Sequence, residues 1–67
     1  MIAITINGEP RRFRDPLNCK QLIDQLELAG KRVALERNGE IVPRSKFEQQ
    51  MLTDGDKLEI VVAVGGG

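Results

Sequence analysis

Few residues in this 67-residue chain could do chemistry. It has no histidine, tryptophan or tyrosine, and its single cysteine is Cys19. No Gly-rich loop ends in the Lys-Ser or Lys-Thr that cradles phosphates. Asp54 and Asp56 lie close together, but they flank Gly55; Asp-Gly reads as a turn, and an acid pair needs a cleft to work in. Cys19 has no partner for an internal disulfide, and without histidine it cannot build a zinc site. The remaining candidate is the C-terminal carboxylate. Gly65, Gly66 and Gly67 follow directly on the apolar run 58–64. Glycine has no Cβ and settles into no structure of its own, and three extended residues reach about 10 Å. The expectation is a folded domain, 1–64, that holds out a flexible arm, 65–67, with the Gly67 carboxylate at its tip. No residue is expected to be catalytic, so the chain should be acted on rather than act as an enzyme.

Composition narrows the class further. Ten basic residues balance ten acidic ones, and Phe13 and Phe47 are the only aromatics. That is neither a field that neutralises phosphates nor a platform that stacks bases, so nucleic acid is not an expected partner. No apolar stretch has the length of a membrane span and no signal-peptide layout opens the chain, so a cytoplasmic protein is expected. At this size one domain is expected, stable only with an efficiently packed core.

The elements that must position the arm are legible. Ile2, Ile4 and Ile6 alternate with Ala3 and Thr5 as a half-buried strand, and Asn7-Gly8 predicts a type I′ hairpin into a strand over 9–14. Asn18 with Gln21 forms a capping box, with Leu17 and Leu22 at the staple positions. Cys19, Leu22, Ile23 and Leu26 make one helical stripe. The helix is predicted over 19–29, with Gly30 as its left-handed stop. Val33–Arg37 reads as a third strand. Asn38-Gly39 turns it into Glu40–Val42, which Pro43 closes. Ser45 with Glu48 suggests a second capping box, with Phe47, Met51 and Leu52 folded onto the core. The last strand places Leu58, Ile60, Val62 and Val64 on one face. The most apolar strands, first and last, should be central and parallel, and the proline-bearing and short strands should be the edges. The fold class is α+β. A β-grasp, ubiquitin-like, five-stranded mixed sheet with one main helix and a short second one is expected.

The chain resembles the ThiS family of thiamine-biosynthesis sulfur carriers. The resemblance rests on Asn38-Gly39-Glu40-Ile41-Val42-Pro43-Arg44, on Asp54-Gly55-Asp56, and on a strand that runs to Gly66-Gly67. Phe47 stands where the family usually has Trp. The resemblance implies that a ThiF-like enzyme adenylates the Gly67 carboxylate with ATP. Sulfur then replaces AMP to give a thiocarboxylate, and a ThiG-like thiazole synthase uses it. A sulfur-donating enzyme completes the partner set. The chain itself should bind no cofactor or metal and should be a monomer when free. The alternatives are a carrier for another pathway of the molybdopterin type, a ubiquitin-like modifier joined to lysines through Gly67, and a passive interaction module.

The tail suits such chemistry. A carboxylate is a poor electrophile, and adenylation supplies a leaving group in a pocket that must exclude water. Only glycine passes a narrow channel without side-chain clashes, so Gly65 and Gly66 are read as the threading segment. Strand parity puts Ala3, Thr5, Val61 and Ala63 on the open face of the sheet, as the expected docking patch. Cys19 opens the helix, where the dipole lowers a thiol pKa, but it also lies on the buried stripe and is read as packing. Arg11, Arg12 and Arg14 are read as a solvated edge.

Overall fold

Two Asn-Gly hairpins and one crossover helix build the architecture. A computed structural model describes residues 1–63. Val64, Gly65, Gly66 and Gly67 lie outside the described residues, and so do the boundary at 64 and the readings of the arm.

Strand β1, Ile2–Ile6, pairs antiparallel with β2, Glu9–Phe13. Helix α1, Cys19–Gln25, crosses to β3, Val33–Arg37, which pairs antiparallel with β4, Glu40–Val42. A one-turn 3-10 helix, Arg44–Lys46, precedes β5, Lys57–Val62. The sheet order is β2-β1-β5-β3-β4, with β5 parallel to β1 and antiparallel to β3. The five-stranded mixed sheet, its apolar central strands and its blunted edges are those expected. Both turn asparagines take the positive φ that a type I′ turn requires, 51° at Asn7 and 52° at Asn38.

The core lies between α1 and one sheet face. Leu22, Leu35, Leu58 and Cys19 are fully buried, with Ile4, Ile6, Ile23 and Ile60 around them. The predicted capping box is present: the Asn18 side chain accepts from the Gln21 N–H, and the Asn18 N–H donates to Gln21 Oε1. Leu17 joins Leu22 in the core, as a staple should.

Three local expectations are corrected. Helix α1 ends at Gln25, not near 29, and the left-handed residue that stops it is Glu27, at φ 59°. The Glu27 N–H donates to the Asp24 carbonyl and the Leu28 N–H to the Ile23 carbonyl, which is a Schellman motif. A longer helix would carry Leu28 off the buried stripe, whereas this stop folds it back against the core. Gly30, at φ 85°, serves the turn before β3 instead. Glutamate carries a Cβ penalty in this conformation that glycine avoids. Glu27→Gly is therefore expected to raise stability by about 1 kcal/mol, read as a higher urea midpoint with an unchanged slope.

The second capping box does not form. Pro43 takes the N-cap position of the 3-10 helix with no side-chain cap, because buried Val42 ends β4 immediately before it. Met51 is 45% exposed while Leu52 is buried. The chain there is extended and bridges to Asn18, so alternate residues face in and out and helical spacing does not apply.

Candidate functional site

Strand β5 leads toward the glycine arm, and the fold clamps it from both sides. On the β1 side, the Asn7 side chain donates to the Ile60 carbonyl at 3.0 Å and accepts from the Ile60 N–H at 2.7 Å. On the β3 side, the Asn38 side chain accepts from the Lys57 N–H at 2.9 Å and the Asn38 N–H donates to the Lys57 carbonyl at 2.7 Å. The two hairpin asparagines thus turn their own strands and also hold β5. Asparagine suits both tasks, because it tolerates positive φ and its amide both donates and accepts.

The start of β5 is anchored by a buried carboxylate. Asp56 accepts from Arg37 Nε at 2.8 Å, from Asn38 Nδ2 at 3.1 Å, and from the Thr53 N–H and hydroxyl at 2.8 and 2.9 Å. It is only 4% exposed. Burial pushes its pKa up, but the hydrogen bonds from Thr53, Arg37 and Asn38 outweigh that and hold the carboxyl below its ordinary value. Its neighbour Asp54 accepts from the Ala3 N–H at 2.7 Å. The Asp-Gly-Asp segment is thus a turn, as expected. What sequence reasoning missed is that Asp56 ties this turn to the β3–β4 hairpin. Its partners Arg37 and Asn38 are eighteen or more positions away, so no local pattern marks the network.

Cys19 is free and buried. Burial raises its thiol pKa, the charge of Asp56 raises it too, and the charge of Arg37 only partly opposes them. That is opposite to the lowering a helix start alone would produce. No group of His, Cys, Asp and Glu among the described residues is placed to hold a metal. No helix among them is long and apolar enough to cross a membrane.

Ala3, Thr5, Val61 and Ala63 share the open face, but they do not form one patch. Thr5 lies opposite Lys57, and Ala3 accepts from the Gly55 N–H. Val61 is six residues farther along than Gly55, roughly 20 Å at about 3.3 Å per residue. Parity assigns a face; the stagger of a parallel pair is set elsewhere. Val61, 62% exposed, instead lies opposite Ala34 on β3. On the neighbouring row Ile41, 74% exposed, lies opposite Glu36, which in turn lies opposite Glu59. The apolar end of the face, at the C-terminal end of β5, is therefore Val61 and Ala63 with Ala34 and Ile41. Ile41 carried one signal in the sequence: Ile41 and Val42 are consecutive apolar residues on a short strand, so one of them must face outward.

Comparison with known proteins places this arrangement. The sequence pattern of the ThiS family matches residues 4–67. Over 98% of its length the chain is 47% identical to a thiazole synthase of Paramagnetospirillum magneticum, yet it spans only 20% of that protein. It is 34% identical to the sulfur carrier protein ThiS of Bacillus subtilis, over 96% of this chain and 98% of that one. The crystal structure of the thiamine biosynthesis protein ThiS from Geobacter metallireducens superposes with a TM-score of 0.83 at 33% identity, covering 98% of this chain and all of that one.

Proposed function

Since the chain belongs to the ThiS family, we propose that it is a sulfur carrier of thiamine biosynthesis and that its reactive group is the Gly67 carboxylate. The observation that carries this reading is a family match that runs through to Gly67, on a fold whose clamped central strand leads toward it. A partner enzyme joins the carboxylate to AMP from ATP and releases pyrophosphate. A sulfur donor then displaces AMP and leaves a thiocarboxylate. Transfer of that sulfur to a carbonyl carbon of a substrate held by a thiazole synthase, in exchange for that carbonyl's oxygen, regenerates the carboxylate. The chain supplies the carbon, the reach and a docking surface, and ATP is held by the activating partner.

The thiazole destination is favoured over a molybdopterin-type one by the relative named thiazole synthase, of which this chain matches a fifth. A carrier-like segment within a longer synthase chain would raise the effective concentration of sulfur at the acceptor. Intact-mass measurement on protein from native cells tests the reading. A fraction with one oxygen exchanged for sulfur at Gly67 supports it, whereas conjugates to lysine would replace it with the modifier reading.

Docking is assigned to the tail end of the open face, around Val61, Ala63, Ala34 and Ile41. Ala3 and Thr5 would form a separate contact at the far end. Val61→Lys places a cation beside Glu36 and Glu59, so the fold should be unchanged within about 0.5 kcal/mol. Binding to the adenylating enzyme, measured by calorimetry, should weaken at least tenfold. Unchanged affinity would remove Val61 from the interface.

A further inference from the structure

The β1 side of strand β5 is only partly covered. Odd-numbered residues of β5 bond toward β3, as the Asn38 N–H to the Lys57 carbonyl and the Ala63 N–H to the Arg32 carbonyl show. Even-numbered ones bond toward β1. Asp56 and Leu58 accept from the Thr5 and Asn7 N–H groups. Ile60 lies beyond the end of β1 and is satisfied by the Asn7 side chain, whose carboxamide donates and accepts as a peptide group would. By this alternation the N–H and carbonyl of Val62 point to the same side. Among the described residues nothing pairs with them there. Beside Val62 runs a groove of about 340 Å³ whose lining joins apolar Ile6, Leu26, Leu28, Ile60 and Val62 to polar Asn7, Glu9 and Arg11.

We infer that the edge at Val62 is a strand-addition site for an extended segment of the enzyme that receives the glycine arm. This rests on the carrier reading above. The occupant is dictated by the chemistry of the edge. A donor and an acceptor on one residue, in line with a peptide-like group already seated at Ile60, are matched by another extended backbone. An apolar side chain of that segment, on the helix side, enters the groove between Leu26 and Leu28. Main-chain pairing supplies affinity, and the groove supplies selectivity. The pairing also fixes the direction in which β5 leaves the fold, and so aims the arm.

Amide exchange at Val62, followed by NMR on the labelled chain, tests this. The probes are the adenylating enzyme and the thiazole synthase of the chain's own organism. Binding of at least one should slow exchange at Val62 tenfold or more. A chemically synthesised chain with an ester between Val61 and Val62 lacks that N–H. If its thermal unfolding shows it folded, it should bind that enzyme at least about fivefold more weakly, the loss expected for one hydrogen bond. A complex that forms with Val62 exchange unchanged overturns the inference and leaves the carrier reading standing. Protection that appears in the free chain and grows with its concentration overturns it in favour of a second copy. If neither enzyme binds, the carrier reading and the inference fall together.

Discussion

A chain lacking Gly67 is expected to fold as the parent does and to carry no sulfur. Every buried core residue among those described lies between Ile4 and Ile60, so removing Gly67 exposes no apolar surface there. The deletion instead moves the carboxylate back by one residue, roughly 3.5 Å. A displacement of about 1 Å from a productive geometry can cost 10²-fold, so the loss should exceed that. The measurement is intact mass after incubation with the adenylating enzyme, ATP and a sulfur source, beside thermal unfolding. The parent should gain the mass of an oxygen-to-sulfur exchange, and the shortened chain should gain none while unfolding at the same temperature. A shortened chain that still forms a thiocarboxylate, or still supports growth without thiamine, would sink the proposed role of Gly67.

The second large effect concerns stability. Asp56→Ala leaves the Arg37 guanidinium, the Asn38 amide and the Thr53 N–H facing an empty position. Breaking a buried pair from one side costs about 3–5 kcal/mol. Arg37 keeps some contact with water, its side chain being 26% exposed, so the lower end applies. A domain of this size holds about 3–10 kcal/mol in all, so roughly a third or more of its stability should be lost. Urea denaturation at neutral pH checks this, and a loss under about 1 kcal/mol would refute it.

The same group predicts a pH dependence. Its folded pKa is depressed, so the unfolded chain takes up the proton first. The stabilisation is fully present above the unfolded carboxylate value, about 3.9, and is lost as pH falls through the lower folded value. Asp56→Asn should flatten that acid limb while lowering stability at neutral pH. An acid limb identical to the parent's would show that other carboxylates carry it.

The β-grasp order was readable because each element announces itself locally. Two Asn-Gly turns, one capping box and alternating isoleucines each carry their signal in residues only a few positions apart. The departures arise where a local rule competes with the core. Glu27 adopts a conformation costly for glutamate because Leu28 gains burial there, and Met51 faces out because the segment beside Asn18 is extended.

The sequence by itself determined the order of the elements and the faces of β1, β3 and β5, because these depend on residue type and on neighbours a few positions away. Tertiary structure alone decided which of those residues meet. The stagger of β5 against β1 separates Ala3 from Val61, long-range pairing brings Asp56 to Arg37, and β1 ends at Ile6, opposite Leu58 and short of Val62. Register between distant strands depends on the whole packed sheet and helix, and no local pattern records it.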